Sequence, residues 1–120
     1  MTSRESSVVT ETPVSGVVVV RVLGEQDGEG DGLPVLREIL MHSARNAEVE
    51  RTVLDLSGTE FVDSAFLHLL INVRPAYEQA RTKLVIAGPL PVQVRRLFEV
   101  TGTMDAFTHA DSADDAVRGV

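Results

Sequence analysis

Three groups of residues in this chain have types and spacings that chemistry could use. In Asp55-Leu56-Ser57-Gly58-Thr59 a carboxylate precedes two hydroxyls. An Asp-x-Asp-x-Thr phosphotransfer loop needs a second carboxylate as acid or base, and Ser57 stands in that place. Asp63, Ser64 and His68 form the second group. Ser64 and His68 are four positions apart, so on a helix they share a face and can meet. A base beside a hydroxyl is only part of a nucleophilic site. Neither an oxyanion-hole glycine nor a nucleophile-elbow pattern surrounds this one. The third group, His42, His68 and His109, is scattered without ligand spacing. The chain has no cysteine, which removes thiol catalysis, disulfides and thiolate zinc sites together. These residues predict no enzyme, no cofactor and no metal.

The elements that must hold these groups can be read from the apolar pattern. Residues 1–6 are polar and predict a disordered tail, leaving residues 7–120 as a single domain. Residues 7–12 predict a short edge strand ended by Pro13. Gly16 opens Val17-Val18-Val19-Val20-Arg21-Val22-Leu23. Consecutive β-branched residues disfavour a helix, so this is a strand buried on both faces and central in its sheet. Residues 24–32 hold four glycines and four acids and predict a solvated loop. That loop lacks the Lys and Ser/Thr of a phosphate-binding turn. A helix starts at Leu33-Pro34. Its apolar stripe is Val35, Leu36, Ile39 and Leu40, and it runs to about Ala47.

A strand over residues 52–56 follows. Ser64 opens a second helix that reaches Tyr77 and Ala80, with Pro75 inside it as an expected kink. Residues 83–87 form a buried strand closed by Gly88-Pro89. Val92, Val94, Leu97, Phe98 and Val100 belong to a third helix stopped by Thr101-Gly102. Phe107-Thr108-His109 is a short last strand, and Ser112 caps a terminal helix. The order β-β-α-β-α-β-α-β-α predicts an α/β fold. Its mixed β-sheet has four to five strands and about four helices, with parallel crossovers after the opening hairpin.

Composition agrees with that architecture. The 120 residues are 43% apolar, with one Tyr, four Phe and no Trp. The core must therefore be Val, Leu, Ile and Ala, which suits a sheet covered by helices. The net charge of −7 repels a phosphate backbone and anionic membranes, so nucleic acid and membrane are not expected partners. No run of about 18 apolar residues is present, so no transmembrane helix is expected. The polar N-terminus has no apolar signal core, which makes the cytoplasm the expected location.

Residues 53–70, Val-Leu-Asp-Leu-Ser-Gly-Thr-Glu-Phe-Val-Asp-Ser-Ala-Phe-Leu-His-Leu-Leu, resemble the sulfate transporter and anti-sigma factor antagonist (STAS) family. That family has a strand ending in Asp-Leu-Ser, a short apolar link, then Asp-Ser-Ser/Thr/Ala-Gly-Leu-Gly at a helix start. Gly24-Glu25-Gln26-Asp27 is similar to its Gly-Glu-Leu-Asp. Leu84-Val85-Ile86-Ala87-Gly88, residues 94–102 and residues 112–117 match its later elements in order. The resemblance implies a bacterial anti-sigma factor antagonist. Such a protein binds an anti-sigma factor that is a serine kinase of the GHKL ATPase type, and so frees a sigma factor. Phosphorylation of the serine after that Asp, here Ser64, ends the binding. The implied partner-binding residues are Asp27, Asp63, Ser64, Ala65, Phe66, His68 and Leu69, in a monomer or weak homodimer. The alternative is a divergent STAS interaction module, acting as scaffold, homo-oligomer or ligand binder, without a phosphorylation cycle.

Elementary electrostatics fits a switch at Ser64. A helix N-terminus favours an anion. A phosphate brings about −1.5 to −2 charge beside Asp63. The plainer role of Ser64 is an N-cap worth about 1 kcal/mol. The chain also departs from the family pattern, because Phe66 and His68 stand where glycines flank the Leu. Either the partner is shaped for a bulkier surface, or the protein takes no phosphate and binds constitutively. The helix is apolar on two stripes. Phe66 and Leu69 are accordingly either covered by a neighbouring element or part of a partner interface.

Overall fold

The computed structural model describes residues 6–26, 28 and 32–119. The chain opens with a hairpin of β1 (Ser6–Val14) and β2 (Val17–Gln26), turned at Gly16 with φ +83°. Residues 1–5 of the expected tail lie outside the described residues, and Ser6 already belongs to β1. Pro13 does not end β1 but sits in its pairing irregularity between Glu11 and Val14. An edge strand tolerates the missing N–H there. Three strands follow in parallel, β3 (Arg51–Val62), β4 (Lys83–Ala87) and β5 (Thr108–Ala110), giving the order β1-β2-β3-β4-β5. The predicted mixed sheet is present with five strands. The middle strand is β3. The valine-rich β2 is interior but one place from the edge, because β1 pairs outside it.

Helices α1 (Gly32–Arg45), α2 (Ser64–Ala80) and α3 (Val92–Thr101) cover one face, and α4 (Ala113–Arg118) covers part of the other. Strand alternation divides the core accordingly. Val20, Val22, Leu54, Leu56 and Ile86 meet α1, α2 and α3. Val17, Val19, Val53, Val85 and Ala87 meet Ala116 of α4. Ser112 caps α4 as expected, its Oγ accepting from the Asp115 N–H at 3.1 Å. Gly102 ends α3 at φ +70°, the left-handed closure glycine favours. Pro75 lies within α2, which runs on as one helix to Ala80. Among the described residues no helix is long and apolar enough to cross a membrane.

Two readings of buried faces change. In α1 the buried row is Leu33, Leu36, Leu40 and Ala44, at spacings of 3, 4 and 4. Val35 falls off that row and is 52% exposed. In α2, Phe66 is fully buried and Leu69 is 7% exposed. Both belong to the large core cluster, because α1 packs along α2 and covers the second apolar stripe. Neither residue lies on the surface, as a partner contact at these positions would require.

β3 is far longer than the predicted 52–56, and its length decides where the site sits. Pairing with β2 runs Arg21 to Asp55, then Leu23 to Gly58, Gly24 to Thr59 and Glu25 to Phe61. β3 therefore carries one extra residue before Gly58 and another before Phe61, two bulges in one strand. Its helix-side buried positions go 54, 56, 59, 62 instead of alternating strictly. The first bulge explains the Asp-Leu-Ser-Gly-Thr motif. Asp55, 5% exposed, accepts from the Ser57 N–H at 3.0 Å and Ser57 Oγ at 2.8 Å, and from Arg21 Nε at 3.3 Å. The Thr59 hydroxyl donates to the Leu56 carbonyl at 2.7 Å. Side chains thus satisfy backbone groups where the bulges disturb the ladder. A Cβ at Gly58 would meet the end of the Leu23 side chain, which would have to shift to admit it. The residues that resemble a phosphotransfer loop hold up a strand.

Beneath α1 and α2 lies a small polar cluster. The Tyr77 hydroxyl donates to the Leu40 carbonyl at 2.7 Å, and the hydroxyls of Ser43 and Thr52 are 2.6 Å apart. Burial raises the Tyr77 phenol above its ordinary 10.0, while hydrogen bonds with Thr52 and Ser43 oppose the rise.

Candidate partner-binding site at the start of helix α2

The lengthened β3 delivers residues 63 and 64 to the end of the sheet. There Asp63, in extended conformation (φ −123°, ψ −174°), begins α2. Asp63, not Ser64, is the N-cap. Its Oδ1 accepts from the Phe66 N–H at 3.2 Å. Its Oδ2 accepts from the Gly28 N–H at 3.1 Å. One carboxylate therefore both closes the helix and holds the connection between β2 and α1. Gly28 lies so close to Ala65 that an added Cβ would stand 3.2 Å from the Ala65 methyl. Asp and Ser are equally good caps, so adjacent Asp63 and Ser64 left the choice to geometry.

The consequence is chemical. Because Asp63 caps, Ser64 is the first helical residue and its side chain is exposed. Its hydroxyl makes no side-chain bond among the described residues. Asp63 engages the Phe66 and Leu67 amides, the Ser64 and Ala65 amides before them have no acceptor within the helix, and the helix dipole adds positive potential at that point. A group with negative oxygens attached to Ser64 would meet those donors, with the Asp63 carboxylate on its other side. His68 is exposed one turn along, and Ala65 is half-buried.

The residues expected to contact a partner therefore divide. Asp63, Ser64, Ala65 and His68 are brought together at one surface. Phe66 and Leu69 are inside the core. Asp27 lies outside the described residues. The structure adds two apolar side chains, Phe61 and also Ile71, which the apolar pattern groups with the buried Leu67 and Leu70. Phe61 is 44% exposed two residues before the cap, and Ile71 is 39% exposed on the α2 face that carries Ser64 and His68. Both were hidden by position: Phe61 by the second bulge, and Ile71 by a helix whose buried stripe is unusually wide. His109 is engaged elsewhere, its Nε2 2.8 Å from the Met104 carbonyl and its ring edge-on to Phe98. Among the described residues no three His, Cys, Asp or Glu side chains are grouped to hold a metal ion.

Comparison with known proteins agrees with this fold. The family model described as "Mlab, STAS domain" matches residues 10–107. No curated protein matches. Among solved structures, an anti-sigma factor antagonist from Mycobacterium paratuberculosis is 27% identical, with a TM-score of 0.78 over 97% of this chain and 94% of that one. The unphosphorylated form of the anti-sigma factor antagonist SpoIIAA, from Bacillus, is 21% identical, with a TM-score of 0.76 over 95% of this chain and 98% of that one. The murine anion transporter Slc26a9 contains the same fold. It is 16% identical with a TM-score of 0.74, over 97% of this chain and 22% of the transporter. A five-stranded mixed sheet and four helices agree with a family match over most of the sequence: the chain belongs to the STAS domain family, with the fold of the anti-sigma factor antagonists.

Proposed function

We propose that this protein is an anti-sigma factor antagonist, cytoplasmic and bacterial, whose partner is an anti-sigma factor of the GHKL serine-kinase type. Ser64 is the phosphate acceptor. The observation that carries this reading is the division of labour between neighbours. Asp63 does the capping, so the Ser64 hydroxyl is left exposed and unengaged at a helix N-terminus.

The contact surface is small and mixed. Ser64, His68 and Ile71 share the outer face of α2, and Asp63 and Phe61 stand at its start. Phe61 and Ile71 supply apolar anchoring of the kind that interfaces centre on. A phosphate on Ser64 places about −1.5 to −2 charge among them, which desolvates poorly in an interface and repels acidic groups nearby. Binding is lost with no need for the domain to refold.

The test compares affinities for the cognate kinase. Ser64→Ala is expected to bind as wild type does, and Ser64→Asp to bind at least about tenfold more weakly, about 1.4 kcal/mol. Incubation with kinase and ATP should add one phosphate to wild type and none to Ser64→Ala, read by intact mass. Equal affinities for Ser64→Asp and wild type would remove the switch.

A second reading is a STAS interaction module without a phosphorylation cycle. Exposed His68 beside Ser64 favours it, since an imidazole there raises the surface a kinase must approach. That reading predicts a partner complex indifferent to ATP.

A further inference from the structure

At the other end of α2, opposite the Ser64 site, a groove opens between the C-terminal ends of α1 and α2 and the first residues of β3 and β4. Its volume is about 1050 Å³. Four cations line it: Arg45, Arg51, Arg81 and Lys83. Glu50 is the one carboxylate in the lining. Among the described residues none of these cations forms an ion pair. The ion pairs present are those of Arg21, Arg74 and Arg118. This concentration of positive charge stands on a chain of net charge −7.

Cations near helix C-termini have an ordinary use, since they complement the helix dipole. That accounts for Arg45 in the last turn of α1. It also accounts for Arg51, whose side chain reaches the C-terminal carbonyls of α4, but not for Lys83, which begins β4. Arg51 Nη1 donates to the Ala116 and Val117 carbonyls at 3.3 and 3.4 Å, so it is partly committed to closing α4.

Arg81 is the telling residue. It closes α2 in the left-handed region at φ +59°, the only described non-glycine residue with positive φ. Its N–H donates to the Glu78 carbonyl at 3.2 Å, and the Thr82 N–H to the Tyr77 carbonyl at 3.1 Å. Glycine is favoured at this position because it has no Cβ penalty. This chain uses glycine for the same closure at Gly102 and Gly119. At residue 81 it keeps an arginine, and that residue lines the groove. A non-glycine residue held in that region is uncommon and points to a use for its side chain beyond closing the helix.

We propose that the groove binds a small multivalent oxyanion, a molecule carrying two or more phosphate or carboxylate groups held by Arg45, Arg81 and Lys83. The guanidinium groups match such oxygens bidentately, and the lysine supplies a point charge. The amides of Asn46, Asn72 and Gln79 in the same lining offer orienting donors. The volume is that of a small-molecule cleft. No aromatic residue lines it, so recognition rests on the anionic groups themselves. This site is separate from Ser64 and does not depend on its modification.

The experiment titrates pyrophosphate and, separately, citrate into the 15N-labelled full chain, with ionic strength held constant by sodium chloride. Saturable amide shifts are expected at Asn46, Arg81, Thr82 and Lys83, with a dissociation constant below about 1 mM for at least one of the two anions. Pyrophosphate alone binding assigns the site to phosphates, citrate alone to carboxylates, and both to multivalent anions in general. Arg81→Gly keeps the left-handed closure while removing the cation, so it separates binding from folding. It and Lys83→Gln are each expected to weaken binding about tenfold. The proposal is overturned if neither anion saturates at tens of millimolar. It is also overturned if the shifts spread equally to the exposed Arg95 and Arg96 of α3, or if both variants bind as wild type does.

Discussion

The two ends of α2 are built on opposite terms. At the N-terminus the cap is Asp63, an acid in relaxed extended geometry, with its charge matched to the helix dipole. At the C-terminus the cap is Arg81, a cation also matched to the dipole, but in a backbone region that costs an L-residue about 1–2 kcal/mol. Electrostatics treats the ends alike, and sterics does not. The N-terminal end takes the best local choice, which leaves Ser64 available for chemistry. The C-terminal end forgoes the best local choice and keeps an arginine in the lining of a groove. A residue chosen against its local preference points to a requirement beyond the element it sits in.

The sharpest way to break this contrast is to remove what anchors the N-terminal turn. Phe66 is fully buried, and Phe66→Ala is expected to cost about 3–5 kcal/mol, measured by urea denaturation. A cost below about 1 kcal/mol would mean that the first turn of α2 is held by its cap and not by the core. Asp63→Ala comes next. It loses a cap bond and the tether to Gly28, and should cost about 1–2 kcal/mol. Hydrogen exchange at Phe66 and Gly28 should rise together, and exchange rising at Phe66 alone would show that the tether carries no weight. The smallest effect has the opposite sign. Arg81→Gly relieves the left-handed backbone and should raise stability by up to about 1 kcal/mol, read as an increase in thermal midpoint. A decrease would mean that the arginine stabilises its own helix end, which would dissolve the asymmetry.

Much of the fold was legible because its elements obey one period each. The valine run of β2, the apolar strand β4 and the Gly102 and Ser112 helix boundaries are local signals, and each belongs to the element its pattern indicated, although β2 lies one place from the sheet edge and runs through residues 24–26 of the expected loop to a buried Gln26. β3 was legible only to Leu56, because two bulges break the period of two that defines a strand. The run that followed had looked like a link because its buried positions come every third residue. In α1 the apolar Val35 joined a stripe on paper that the packed helix leaves outside. In the candidate site, the pair Asp63-Ser64 was visible from its motif, but which of the two caps was not. Cap preference is nearly equal for both, and only the Gly28 N–H settles where the carboxylate points.

Sequence by itself determined the composition of the core, the alternation of strands with helices and the position of an acid and a serine at a helix start. These follow from periodicity and from residue preferences within a few positions. Tertiary structure alone decided which apolar residues of α2 are inside, because that depends on α1 lying along it. It alone made the Asp55 motif a support for bulges instead of a reactive loop, since the bulges exist only against β2. It alone brought Arg45 to the Arg81-Thr82-Lys83 turn in one groove, because nothing near Arg45 along the chain points to that turn.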